Sequence, residues 1–290
     1  MIDCHTRDIE WTAEPAEESL MTQELTLMAV HAHPDDEVLG TGGLLARSAA
    51  EGVRTVLVTC TNGEQGDDSG GVKPGEPGHD AEGVARRRLA ELRESASLLD
   101  IGHLELLGYR DSGMDGWSTN DDPAAFANIP LEESAGRLAA LMERYRPQVV
   151  VTYDENGGYG HPDHIQAHRI ALAAAEQTGI PDKLYYTAIP RSGIKQMFEA
   201  ARAAGMDLGF EPPEDFGTPD ELITSALDVS AHFEAKRDAL LAHASQGENI
   251  FLLKLPEEMQ KAAFSSEAFI RHLSRVEAPG REDDLFAGLR

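Results

Sequence analysis

The stretch LTLMAVHAHPDDE, residues 25–37, decides the reading of this chain. Leu25 to Val30 form a short apolar run bounded by polar residues, which reads as a buried β-strand. The remainder, His31-Ala32-His33-Pro34-Asp35-Asp36-Glu37, crowds two imidazoles and three carboxylates together. The chain then enters VLGTGGLLARSAAEG, a glycine-rich helix start and a helix. Ligands of open α/β sheets sit beyond the carboxyl ends of strands, and this motif lies at such an end.

Working outward, the same alternation continues. Val53 to Cys60 is a strand rich in β-branched residues. Residues 61 to 80 form a long Gly, Pro and Asp loop, of the length that is functional or unstructured in compact domains. Gly83 to Leu99 has helical spacing, Leu104 to Leu107 is a short strand, and Leu131 to Arg146 is an amphipathic helix stopped by Pro147. Gln148 to Tyr153 is another buried strand, Ile165 to Gln177 a helix, and Lys183 to Ala188 a strand. Strands alternating with helices predict an α/β fold with a mostly parallel sheet. Beyond residue 190 the pattern weakens: 193–206 and 231–243 read as helices around a Pro/Asp loop at 209–220. We divide the chain into a lead-in (1–22), a catalytic α/β domain (23–190) and a C-terminal cap with closing elements of the same domain (191–290).

A second constellation follows the strand that ends at Tyr153: DENGGYGHPDH, residues 154–164. His33 and Asp36 are three residues apart, as are His161 and His164, and each pair stands where a strand turns into a helix. At that spacing both side chains of a pair can converge on one ion. His nitrogens with carboxylate oxygens suit zinc, and a hydrolytic zinc site uses three protein ligands and keeps one position open. The plainer alternative for the first segment is helix capping by Asp35, Asp36 and Glu37, and for the second a pair of surface or capping histidines. Two such segments on one sheet rim outweigh that alternative.

Composition narrows the partners. The 290 residues are 41% hydrophobic, enough for a core, and carry 51 acidic against 25 basic side chains, a net charge of −26. That excludes nucleic acid, whose phosphates need a basic surface, and reads as a solvated surface, with a salt-adapted host as a second reading. No stretch has the roughly 18 apolar residues of a membrane span. The N-terminus has no apolar h-region, so a secretory signal is not expected. Cys4 and Cys60 make neither a disulfide framework nor a thiolate site, which favours a cytoplasmic setting.

HAHPDDE followed by YDENGGYGHPDH resembles the LmbE / PIG-L family of zinc-dependent N-deacetylases. Within it the chain is similar to the actinobacterial mycothiol enzymes, the mycothiol S-conjugate amidase and the N-acetylglucosaminyl-inositol deacetylase. The similarity runs from about Leu25 to Tyr186 and resumes at AHASQ (242–246) and DLFAGL (284–289). The resemblance implies a Rossmann-like three-layer sandwich with a smaller C-terminal cap region. It implies zinc ligands at His33, Asp36 and His164, with iron(II) suiting the same donors. It makes Asp35 the general base, His161 the oxyanion stabiliser, Asp163 the carboxylate that orients His161, and Tyr159 a mobile group on the reacting carbonyl. Arg88 and Asp111 are implied to hold the sugar of a small amino-sugar substrate, and a homo-oligomer is left open.

Other residues get plainer expectations. His31 ends its strand, Glu37 supports the metal or caps its helix, and His168 lies one turn past His164. Tyr185 and Tyr186 are core. His243 belongs to AHASQ without a derivable role. Gly42 and Gly43 lack a complete GxGxxG, so no nucleotide site is expected. Competing functions are another amino-sugar substrate, a metallo-phosphoesterase, and a non-catalytic metal-binding protein.

Overall fold

The protein is described by a computed structural model covering residues 24–68, 70–206, 211–246, 251–278 and 280–290. The lead-in 1–22, with Cys4, lies outside the described residues. In chain order the main elements are β1 (Thr26–His31), α1 (Asp36–Ala50), β2 (Arg54–Thr61), α2 (Ala81–Leu98), β3 (His103–Tyr109), α3 (Leu131–Tyr145), β4 (Val149–Thr152), the single turn α4 (Gly157–Gly160), α5 (Pro162–Thr178), β5 (Lys183–Ala188), α6 (Arg191–Ala203), β6 (Ser225–Asp228), α7 (Phe233–Ala242), α8 (Glu257–Phe264) and β7 (Ser266–Ser274).

The strands form one sheet in the order β3-β2-β1-β4-β5-β7-β6. The first five are mutually parallel, and β7 runs antiparallel to both β5 and β6. Every residue of β1 is buried, as a parallel strand covered on both faces requires. Its side chains alternate. Met28 and Val30 join Leu138 and Met142 of α3 and Ile170 of α5 on one face. Leu27 and Ala29 join Leu44 and Leu45 of α1 and Leu92 of α2 on the other. The result is the expected α/β/α sandwich. The chain leaves β1 toward β2 and β3, then returns to place β4 on β1's opposite side. The switch point of the sheet therefore lies between β1 and β4, where such sheets bind ligands.

Residues after 190 do more than the weak pattern indicates. The polar SEAFIRHLS becomes β7, the longest strand among the described residues, buried at Glu267 to Phe269 and exposed at His272 and Ser274. β6 and β7 lengthen the sheet, while α7 packs Phe233, Ala239 and Leu240 over Val38 and Ala46 of α1 and Leu99 just past α2.

Gly42 and Gly43 lie inside α1, not in a phosphate loop. A Cβ on Gly43 would stand 2.5 Å from Val229 Cγ2, and the Gly43 and Leu44 N–H groups donate to the Glu267 carboxylate at 2.7 and 2.8 Å. This glycine lets the helix approach the end of β6. Gly43→Ala gains about 1 kcal/mol of helix propensity but incurs an overpacking cost of about 1–3 kcal/mol. At 2.5 Å the overlap wins, so urea unfolding should show net destabilisation; equal or greater stability would refute the close-packing account.

Candidate metal centre and active site

Because β1 and β4 pair in parallel, the segments leaving them emerge side by side on one rim. His33 and Asp36 come from the β1–α1 turn, His164 from the first turn of α5. His33 Nδ1 lies 3.2 Å from Asp36 Oδ2, His164 Nε2 lies 3.3 Å from the same oxygen, and the two nitrogens are 3.3 Å apart. A tetrahedral zinc with bonds of about 2.0–2.1 Å sets its donor atoms about 3.3–3.4 Å apart. The triangle has that size.

Hydrogen bonding on the far side of each ring assigns the tautomers. His164 Nδ1 donates to the Gly157 carbonyl at 3.1 Å, and His33 Nε2 donates to Asp163 Oδ2 at 3.1 Å. In the neutral form both remaining ring nitrogens turn lone pairs toward Asp36 Oδ2, which also accepts the His33 backbone N–H at 2.8 Å. Such a set suits a positive charge, a proton or a metal ion, and outer partners of this kind orient imidazoles that bind metals. Burial opposes charge on His33, but Asp111, Asp163 and Asp36 outweigh it and raise its pKa well above the usual value. Burial also opposes ionisation of Asp36, yet His164 and His33 hold it well below the carboxylate range. The cluster attracts positive charge, and protons compete with metal for it. His33, Asp111, His161 and Asp163 each also offer one donor atom within 4.8 Å of the others. Asp163 and Asp111 approach His33 from Nε2, the side away from Asp36, and so lie outside the triangle.

One expected role changes. The Asp163 carboxylate does not orient His161. It is fully buried and accepts from His33 Nε2, from the Ser112 N–H at 2.9 Å and from the Ser112 hydroxyl. His161 precedes α5 as its N-cap, and its Nδ1 accepts the Asp163 backbone N–H at 3.1 Å. Asp163, inside the first turn, turns its carboxylate inward to the end of β1. Burial, reinforced by His33 and His164, lowers the His161 pKa to about 3, so the ring is neutral with its proton on Nε2.

Asp35 occupies the N-cap of α1 with φ 109°, a conformation rare outside glycine. Its N–H donates to Glu37 Oε2 at 2.9 Å and its carboxylate accepts from Arg88 Nη2 at 3.2 Å. Burial raises its pKa to about 6, with Asp36 and Glu37 adding to the rise and Arg88 opposing it. Of the three successive arginines, Arg88 is the buried one; it also donates to the carbonyls of Pro34 (2.7 Å) and Gly63 (2.8 Å), bracing the HPDD turn. Asp111 accepts from the N–H groups of Gly113 and Gln65 and lies 3.6 Å from His33 Nε2. Tyr159 is 57% exposed at the mouth, its ring 5.0 Å from that of His164. Gly157, just before it, has φ 62°, and a Cβ there would sit 2.6 Å from His164 Cβ.

The profile of the PIG-L family, described as GlcNAc-PI de-N-acetylase, matches residues 28–175, a span that holds every group of this cluster. The chain belongs to the PIG-L family. Over 277 residues it is 43% identical to the 1D-myo-inositol 2-acetamido-2-deoxy-alpha-D-glucopyranoside deacetylase of Acidothermus cellulolyticus, covering 91% of this chain and 95% of that one. It is 46% identical over 242 residues to the like-named enzyme of Thermobifida fusca, covering 76% and 82%. Among solved structures, the 4-carboxy-2-hydroxymuconate hydratase GalB of Pseudomonas putida KT2440 superposes with a TM-score of 0.56 at 20% identity, covering 88% of this chain and 99% of that one. That likeness shows the fold alone, a fold that supports more than one chemistry.

Several supports of this PIG-L site carry no motif signal. Tyr153 stacks on His164 with centroids 4.2 Å apart, and its hydroxyl accepts the Ala32 N–H at 2.9 Å. His168 donates to the Tyr153 carbonyl at 2.9 Å and so backs that strand end. His31 is buried against Thr41 Oγ1 at 2.8 Å, and desolvation lowers its pKa to about 4, the structural part expected of it. Tyr185 and Tyr186 are core, as expected. The signal for Ser112 was its place beside Asp111; Tyr153 offered none beyond ending a strand. Among the described residues, no helix is long and apolar enough to cross a membrane.

Proposed function

We propose that this chain hydrolyses the acetamide of an N-acetylglucosaminyl-inositol, releasing acetate and the free amine, with zinc held by His33, Asp36 and His164. The triangle of donor atoms with sides of 3.2, 3.3 and 3.3 Å carries the reading. The names of the relatives at 43% and 46% identity favour the deacetylase over the S-conjugate amidase. Zinc bound there would polarise the carbonyl and lower the pKa of water to roughly 7.

The chain's own groups supply the rest. Asp35, with its pKa held at about 6, takes a proton from water near neutral pH and can return it to the departing nitrogen. His161, neutral and protonated at Nε2, and the Tyr159 hydroxyl donate to the carbonyl oxygen as negative charge grows on it. Asp163 and Ser112 hold His33 in the tautomer that leaves Nδ1 free. Arg88 and Asp111, buried behind the HPDD turn, are assigned to the sugar, with Arg88 also fixing Asp35. A phosphoesterase commonly holds two metals; among the described residues the two donor groupings share His33 and His161 and form one centre.

The test is amine release from N-acetylglucosaminyl-inositol, a mycothiol S-conjugate and N,N′-diacetylchitobiose by metal-stripped protein with and without zinc or iron(II). A metal of this kind contributes several kcal/mol to the transition state, so stripping should cost more than about 100-fold. One equivalent of zinc should restore turnover of the inositol substrate. Equal turnover with and without metal would refute the reading, and turnover confined to another substrate would reassign the pocket.

A further inference from the structure

Glu37 and His243 are fully buried and take no part in the chemistry above. Glu37 Oε1 accepts both the Ser95 hydroxyl at 2.6 Å and His243 Nε2 at 2.7 Å. With that oxygen saturated, Oε2 is turned to the Asp35 backbone N–H at 2.9 Å. Three helices thus converge on one carboxylate: α1 carries Glu37, α2 carries Ser95, and His243 caps the end of α7. The other end of that carboxylate holds the residue with φ 109°.

A non-glycine residue keeps such a conformation only where its surroundings over-determine it. Arg88 restrains the Asp35 carboxylate and the Pro34 carbonyl. The Asp35 N–H is restrained by Glu37. The imidazole of His243 has no other hydrogen-bond partner among the described residues, since its Nδ1 is buried and unpaired. A buried ring whose only such partner is Glu37 is placed for that carboxylate. The AHASQ segment does not need the ring as its anchor, because Ser245 binds Glu91 through its N–H at 2.9 Å and its hydroxyl at 2.6 Å.

We infer that His243, through Glu37 and with Ser95, is a positioning residue that locks the Asp35 turn in its reactive conformation. It touches neither substrate nor metal. This rests on the proposed deacetylase reading for its kinetic consequence, though its structural consequence stands apart. Without the His243 N–H, Glu37 is held at Oε1 by Ser95 alone, its carboxylate can turn away from the Asp35 N–H, and the turn relaxes.

Two measurements test it on the zinc-loaded full chain: kcat and KM for amine release, and crystal structures of wild type, His243→Ala, His243→Gln and Ser95→Ala. His243→Ala should lower kcat about 10- to 100-fold, the cost typical of losing an outer-shell partner. KM should stay within about twofold and zinc at one per chain, since the losses fall on positioning and not on ground-state binding. Glutamine, with an N–H donor at similar reach, should restore most of the loss, and Ser95→Ala should give a smaller decrease. In the His243→Ala structure Asp35 should leave positive φ or its N–H should leave Glu37. Unchanged kcat, a rise in KM alone, zinc loss, or a glutamine variant no better than alanine would overturn the proposal. So would an unchanged Asp35 turn. If His243→Ala does not fold, Ser95→Ala and His243→Gln decide by the same criteria. If wild type releases no amine, the deacetylase reading fails and the Asp35 turn alone judges the positioning role.

Discussion

Asp35→Asn lowers kcat about 100- to 10,000-fold, the range that a positioned acid–base group contributes, while the protein still binds one zinc. The substitution is chosen because nearly everything but the proton-accepting oxygen is kept. Asparagine is among the few residues that tolerate positive φ, so the 109° turn survives. Its amide oxygen can still accept from Arg88 Nη2, now 3.2 Å from the carboxylate, and its backbone N–H still reaches Glu37. Asp35 is outside the His33, Asp36 and His164 triangle, so zinc affinity should hold. Alanine would confound the loss of the base with relaxation of the turn. Zinc content by metal analysis and kcat on N-acetylglucosaminyl-inositol decide the matter. Activity within tenfold of wild type would remove Asp35 from the base role. Loss of zinc would mean that Asp35 belongs to the metal site.

The largest stability effect is expected far from the chemistry. Glu282→Ala should destabilise the fold by about 3–5 kcal/mol, the cost of orphaning a buried charge. Lys183 is fully buried in β5, and its Nζ contacts Glu282 Oε1 at 2.5 Å and the Ala287 carbonyl at 2.9 Å. The other carboxylate oxygen accepts from Tyr185 at 2.9 Å and Ser225 at 3.0 Å and pairs with Arg271 at 3.0 Å. One carboxylate therefore ties β5, β6 and β7 to the C-terminal segment. Its removal leaves the buried Lys183 ammonium against the Ala287 carbonyl without a carboxylate to balance its charge. Replacing Lys183 and Glu282 together by apolar residues of similar volume should recover much of the loss, because the pair's own desolvation cost also disappears. Denaturant unfolding measures both. A loss under 1 kcal/mol for Glu282→Ala would mean that water or rearrangement relieves the lysine.

Much of this protein is legible along the chain. The apolar run Leu25 to Val30, the β-branched run Val53 to Cys60 and the helical spacings between them report burial on a regular period, which any short window carries. The two histidine motifs were legible for a related reason. His33 with Asp36 and His161 with His164 are pairs at helix starts, where side chains three residues apart converge. What failed locally was β7, where buried Glu267, Ala268 and Phe269 give way to half-buried and exposed residues, so no regular apolar period marks the strand.

The sequence by itself determined the α/β order, the rim on which the two histidine motifs emerge, the donor chemistry and the family. Only the tertiary structure decided which groups stand behind those donors. Asp163 serves His33 across 130 residues, not its neighbour His161, and His243 reaches Glu37 across 206. Contacts of that range follow from sheet order and helix packing, since a strand places its end beside whichever strand pairs with it. No local spacing encodes that choice. The 109° turn at Asp35 is likewise a product of the assembled site, held by α2's Arg88 and by a carboxylate that three helices fix in place.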